Sequence, residues 1–249
     1  LICVQTLLAG SGWFEPMIAG SNWPYGEVIH WTRPLDVLLL ALALPGVPFL
    51  GWERAIAVSG TLFSPLVHAA ICVSAAWAVA PLVVREVRPL ALPVMLSMAG
   101  VLAYATAGRA DHHALLLLLT LVALGGWMRA LEGDRPPRHA SLTGGVMALA
   151  LWISPESLVP LAAIFLSGGL AWILQGEGVP GTNLRMAAFL LVGLVLAVLV
   201  ERPPSDWLAV EFDRVSLPHM TMAGIAVLFW GWVRHWGGLG KAWTVQNRA

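Results

Sequence analysis

The run Gly108-Arg109-Ala110-Asp111-His112-His113 puts a guanidinium, a carboxylate and two imidazoles directly before the apolar stretch Ala114-Leu115-Leu116-Leu117-Leu118-Leu119. On a regular helix, residues two apart point roughly 200° from one another, but in an extended or turn segment Asp111 and His113 share a side and can touch one ion. A carboxylate with an imidazole suits Mn²⁺, or Mg²⁺ that keeps some waters. It suits Zn²⁺ less well, because one carboxylate and one imidazole do not close a structural zinc site. Asp is also a favoured N-cap and can satisfy the first amides of the leucine helix, but capping accounts for neither His112 nor His113. Arg109 offers a planar donor fork to Asp111 or to a phosphate.

The elements that position this cluster lie in a membrane. Of 249 residues, 58% are hydrophobic and 11% charged, with a mean hydropathy of +0.78, too apolar for a water-soluble domain of this size. Ionisable groups beside a membrane helix are costly to keep and are read first as functional. Net charge is zero, so nothing favours a nucleic-acid partner. Cys3 and Cys72 lie in apolar stretches without metal-ligand spacing and read as packed thiols. The chain begins at Leu1 with no basic n-region and ends on a polar run, so it is expected to be a fragment without a signal peptide.

Apolar runs long enough to span about 30 Å of hydrocarbon fall near 60–84, 89–107, 114–130, 141–154, 157–175, 186–200 and 218–233. This predicts an all-α, polytopic transmembrane bundle of about seven spans. Residues 1–59 are expected to form an ordered external loop with amphipathic or re-entrant segments, 60–233 the membrane domain and 234–249 a cytoplasmic tail. The stretch 35–50, interrupted by Pro34, Asp36, Pro45, Gly46 and Pro48, reads as re-entrant or in-plane. Alternating seven spans puts Arg85, Arg88, Arg129, Arg135, Arg138, Arg185, Arg234, Lys241 and Arg248 on one side, the cytoplasmic one by the positive-inside rule. The opposite face is then acid-rich, with Glu15, Glu27, Asp36, Glu53, Asp111, Glu156, Glu201, Asp206, Glu211 and Asp213 against five bases.

Further candidates sit on that outer face. His30, Arg33 and Asp36 recur at three-residue spacing and could line one wall of a polar pocket. Ser154-Pro155-Glu156 falls at an outer corner between helices, placing Glu156 at the depth of Asp111. Glu156 is read there as a substrate contact or as part of a capping turn. The run Glu211 to His219 reads as a solvated loop. No Gly-rich phosphate loop, nucleophile elbow, CxxC or HExxH is present. A rival class is a transporter or proton-coupled carrier with Asp111, His112 and His113 as a relay; the cluster stands at a membrane edge rather than mid-span, and no symmetric pair of broken helices is visible.

The chain resembles the GT-C superfamily of membrane glycosyltransferases, and within it the oligosaccharyltransferase catalytic subunit and its bacterial and archaeal relatives. The run Leu7 to Phe14 through Trp23-Pro24-Tyr25-Gly26-Glu27 is similar to the family's aromatic first-loop pattern. His30-Trp31-Thr32-Arg33-Pro34-Leu35-Asp36 is similar to a bacterial branch. Asp111-His112-His113 is similar to the family's second acidic motif, whose first and third residues bind the divalent metal. The resemblance implies Asp111 and His113 as metal-binding and catalytic residues with Mn²⁺ or Mg²⁺. It implies a basic residue at Arg109 and a polyprenyl-(di)phosphate-linked sugar as donor to an unidentified acceptor; with the candidates from position and spacing, the expected substrate-binding set is Arg109, His112, Glu156, His30, Arg33 and Asp36. The enzyme would be multi-pass in a bacterial inner membrane, with its site facing the periplasm. Glu27 replaces the family's arginine. The family's first metal-binding Asp is expected before Leu1, so this chain alone is expected to be inactive.

Overall fold

The computed structural model describes residues 1–10, 12–14, 17–18, 20–28, 32–132, 137–176 and 178–237. Within them the chain is almost wholly helical. The helices are α1 (Ile2–Leu8), α2 (Arg33–Ala43), α3 (Val47–Val79), α4 (Ala91–Ser97), α5 (Ala99–Tyr104), α6 (His112–Ala130), α7 (Pro137–Ile153), α8 (Leu158–Gln175), α9 (Val179–Glu201) and α10 (Leu217–Gly237). Two-residue strands β1 (Met17–Ile18) and β2 (Glu27–Val28) pair antiparallel in the first loop.

Among the described residues four stretches are long and apolar enough to cross a membrane: Arg33–Val79, His112–Ala130, Pro155–Gln175 and Val179–Glu201. The expected count of seven spans is not established. The stretch 89–107 is not one helix: Pro89 lies in a 3-10 turn, and the extended backbone of Met98 separates α4 from α5, of 7 and 6 residues. Helix α7 has 17 residues, and α10 carries Pro218, His219 and three tryptophans that dilute its hydropathy.

The segment 35–50 also differs in detail. Pro34 and Asp36 do not interrupt α2; they occupy its first turn, where proline lacks no needed donor and an acid complements the helix dipole. The chain reverses at the 3-10 turn Leu44–Gly46 and at Gly51, whose φ of +72° breaks the start of α3. Helices α2 and α3 then run back along each other, with the Ser59 hydroxyl donating to the Leu39 carbonyl at 3.0 Å.

Close approach of small residues holds the bundle together, as expected where lipid removes the hydrophobic drive between helices. On α7, a Cβ at Gly144 would land on the Met186 carbonyl oxygen of α9; on α9, one at Gly193 would meet Ala148. Gly125 of α6 lies equally tight against Trp77 and Ala78 of α3. Polar side chains also tie helices together: Thr143 of α7 donates to the Ala123 carbonyl of α6 at 3.2 Å, Asn183 of α9 to the Gly168 carbonyl of α8 at 3.1 Å and Trp127 of α6 to the Ser167 hydroxyl of α8 at 2.7 Å. Leu166, Leu174, Val192, Leu228 and Trp232 face outward and are largely exposed, an apolar belt that only lipid can cover. Arg129 binds the Trp77 carbonyl at one end of the bundle, and Arg88, Arg138, Arg185 and Arg234 lie in helix ends and turns at that end. Arg135, Lys241 and Arg248 lie outside the described residues.

Candidate functional site

The opposite end of the bundle gathers the N-termini of α6 and α8 and the C-termini of α7 and α9. Asp111 is the N-cap of α6, in extended backbone (φ −114°, ψ 140°), so the two-residue spacing does bring it onto His113. Its Oδ1 accepts the His113 amide at 3.0 Å and faces Nδ1 of the same imidazole at 2.5 Å. Oδ2 accepts Arg109 Nε at 3.0 Å and pairs with its Nη2 at 3.0 Å. One carboxylate thus caps the helix, orients an imidazole and fixes a guanidinium. Burial raises the Asp111 carboxyl, but the hydrogen bonds from His113 and Arg109 outweigh it and hold the group below its usual range.

The turn that presents Asp111 is braced from two sides. Gly108, at φ +83°, lets the chain fold back, and its amide donates to the Thr61 carbonyl of α3 at 3.2 Å. The Ser64 hydroxyl donates to the Arg109 carbonyl, while Arg109 Nη1 donates to the Ala103 carbonyl at 3.2 Å. Tyr104, at the end of α5, stacks on His113 with centroids 4.7 Å apart and lies 4.8 Å beneath the Arg109 guanidinium. Below this shelf a cavity of about 220 Å³ is lined by Gly100, Val101, Tyr104, His113, Ala114 and Leu117. The His112 ring lies 4.2 Å from that of His113, with Nδ1 3.5 Å from Asp111.

Glu156 reaches the cluster from the 3-10 turn Pro155–Ser157 that leads into α8. Its Oε2 lies 3.7 Å from His113 Nε2, and the Ser154 hydroxyl accepts its amide at 3.3 Å. Arg33 and Asp36 sit elsewhere, in a buried tie between the first loop and the helix ends. They pair at 3.1 Å with side chains 11% exposed, Arg33 Nε donates to the Trp13 carbonyl at 2.9 Å, and the Trp13 indole donates to the Val200 carbonyl at 2.8 Å. His30 lies outside the described residues. The structure therefore brings Arg109, Asp111, His112, His113 and Glu156 together, and bonds Arg33 to Asp36, Trp13, Gly12 and Glu201 instead.

Two participants escaped the sequence reading. Tyr104 closes what looked like a featureless apolar run, and its signal was that the chain has only 2 tyrosines, one of them five residues before Arg109. Glu201, at the end of α9, accepts the Trp152 indole at 2.8 Å and the Arg33 amide at 3.1 Å; its partners are far away in sequence. The loop after it is not simply solvated. Arg202, 2% exposed, forms a bidentate pair with Glu211 at 3.0 and 2.9 Å, and Arg214 adds a further bond at 3.1 Å. The charge-assisted bonds of Arg202 lead the causes that lower the Glu211 carboxyl from 4.5 to about 2.

Chemically, the cluster is a hard and borderline donor set: ligand atoms of Asp111, His112 and His113 all lie within 4.8 Å of one another, which fits a divalent cation of the Mn²⁺, Mg²⁺ or Zn²⁺ type. No protein-family model matches the chain, and no curated protein matches it by sequence. Among solved structures it is similar to the oligosaccharyltransferase of Archaeoglobus fulgidus. The apo form superposes with a TM-score of 0.72 at 13% identity, over 96% of this chain and 29% of that one. The same enzyme with Zn and sulfate gives 0.69 at 13% identity over 94% and 31%, and the complex with an inhibitory peptide and a dolichol-phosphate gives 0.70 at 13% identity over 96% and 29%. The chain spans less than a third of that enzyme's length. Over almost its whole extent the chain has the fold of part of the Archaeoglobus fulgidus oligosaccharyltransferase.

Proposed function

We propose that the chain is part of a metal-dependent GT-C-type glycosyltransferase that takes a sugar or oligosaccharide from a polyprenyl-(di)phosphate-linked donor at the outer face of a bacterial membrane. The observation that carries this reading is the Arg109–Asp111–His113 constellation, held by a helix cap at the mouth of α6 in the fold of an oligosaccharyltransferase. The neighbour's structures with Zn and sulfate, with a dolichol-phosphate, and tethered with an acceptor peptide support a cation, a lipid phosphate and a peptide acceptor here. Residues 1–59 would form the external part of the chain, 60–233 the membrane part and 234–249 the inner tail.

Asp111 and His113 are the residues that would hold the cation, which supplies Lewis-acid stabilisation of charge on the departing lipid phosphate. Arg109 keeps donors beyond those bound to Asp111 and Ala103, and its side chain is 51% exposed, so its fork can take a phosphate oxygen. Tyr104 keeps the imidazole and the guanidinium in place from below. The relay of a proton-coupled carrier is not favoured, since the cluster stands at the cap and first turn of α6 rather than mid-span. The test is transfer from a lipid-linked sugar by the complete protein with and without divalent cation: Asp111→Ala is expected to abolish cation-dependent transfer in a folded protein, and unchanged transfer would overturn the assignment.

A further inference from the structure

The loop between α9 and α10 folds back on the helix ends it joins. The Trp207 indole donates to the Arg202 carbonyl at 3.1 Å, and the Leu217 amide, at the first residue of α10, donates to the Ala209 carbonyl at 3.3 Å. Two residues on, the Glu211 carboxylate accepts both Nη groups of Arg202, one residue beyond α9, and the Ser216 hydroxyl donates to the Glu211 carbonyl at 2.5 Å. These bonds hold residues 208–212 at the height of the helix ends. Because Ala209 and Glu211 are the residues tied inward, their neighbours turn outward: Leu208 is 75% exposed, Val210 63% and Phe212 75%, with half-buried residues between them. The two-residue period is that of an extended segment with one apolar edge.

The edge follows directly on a lipid-facing surface. The last turns of α9, long and apolar enough to cross a membrane, expose Leu196, Leu199 and Val200, which only lipid can cover. Three bulky apolar side chains standing in water are unfavourable. At the headgroup–acyl boundary they are accommodated, with exposed Asp206 and Asp213 flanking them for the aqueous side. The loop's two arginines, Arg202 and Arg214, are both paired with Glu211, so attraction to anionic headgroups plays no part.

We propose that the α9–α10 loop is an interfacial anchor: its Leu208, Val210 and Phe212 edge inserts into the headgroup–acyl boundary of the leaflet on the cluster's side, driven by apolar burial alone. This rests on the membrane reading of the helices and not on the metal or sugar readings. Glu201, the last residue of α9, accepts the Trp152 indole at 2.8 Å, two residues before the corner that begins at Ser154. The anchor thereby fixes the depth at which the carboxylate–imidazole cluster meets the bilayer surface.

Nitroxides on single cysteines test this in phosphatidylcholine nanodiscs, with Leu208→Cys, Val210→Cys and Phe212→Cys made one at a time in the full chain carrying Cys3→Ala and Cys72→Ala. Collision with oxygen, which partitions into lipid, is compared with collision with a water-soluble nickel chelate. The oxygen-to-nickel ratio is expected to exceed that at Asp206→Cys and Asp213→Cys by roughly fivefold, for burial of about 5–10 Å, and to stay unchanged when phosphatidylglycerol is added. Equal ratios at all these positions overturn the proposal, because the edge then lies in water. Shielding of the three positions from both reagents overturns it as well, because protein then covers the edge. A ratio that climbs with phosphatidylglycerol overturns the apolar mechanism. In the chain with both native cysteines, a benzophenone amino acid at Phe212 is expected on irradiation to add the mass of one phospholipid, and adducts within the protein alone count against the anchor. Each labelled chain is expected to melt with its unlabelled parent, since only outward side chains are replaced.

Discussion

Asp111 performs as a side chain with two oxygens and two duties. The cap reading is met, because Oδ1 accepts the His113 amide, and capping leaves the carboxylate in reach of the two groups the site reading needs, the His113 imidazole and Arg109. The duties separate by mutation. Asp111→Ala is expected to cost about 1 kcal/mol from the lost cap, whereas Asp111→Asn, an equally good cap, leaves stability nearly unchanged. Both should lose cation-dependent transfer, so thermal unfolding beside activity distinguishes cap from charge. Tyr104→Leu removes the ring shared by His113 and Arg109 and is expected to cost about 1 kcal/mol, while Tyr104→Phe, which keeps the stack, retains stability. The ionisable cluster could be read from residue types alone; Tyr104 could not, since its place depends on where α5 ends.

Among elements, the tightest joint is α7 on α9, and neighbouring glycines on α7 make opposite predictions. Gly144→Ala drives a Cβ into the Met186 backbone and is expected to cost about 3 kcal/mol or unseat the pair. At Gly145 nothing lies within 4 Å, so Gly145→Ala should be neutral or stabilise by about 0.5 kcal/mol through reduced backbone freedom. Thermal unfolding in one detergent compares them. In the loop between α9 and α10, the Glu211 carboxyl is depressed from 4.5 to about 2. Its contribution is therefore complete above pH 4.5 and is lost as pH falls towards 2. Pepsin should then cut this loop increasingly across that interval, and Glu211→Ala, which strands the buried Arg202, should destabilise by about 3 kcal/mol and expose the loop already at about pH 4.5. Periodicity and hydropathy marked where the long helices run, but not that Met98 divides one of them. Nor could composition show that Arg202 and Glu211 bind each other, because a charge run looks alike whether solvated or paired.

At the scale of the molecule, the sorting of charge makes a prediction about sidedness. Single cysteines placed at Glu156 and Asp206 should react with an impermeant maleimide from one face of the membrane, and those at Arg88 and Arg138 from the other; mixed labelling would refute the topology. Composition and the long unbroken apolar runs together required a helical membrane protein, since a membrane barrel would alternate apolar and polar residues along its strands. The motif around Asp111 pointed to an oligosaccharyltransferase-like fold, and the chain superposes on part of such an enzyme at only 13% identity. Tertiary structure alone decided that α6 and α8 open at the same corner, so that Glu156 faces His113 across 3.7 Å while Arg33 and Asp36 are drawn into the seam that pins the first loop to α9. The physical reason is range. Hydropathy and helix caps act over a few residues and are written locally, whereas contact between residues more than forty positions apart depends on how small side chains let the helices approach.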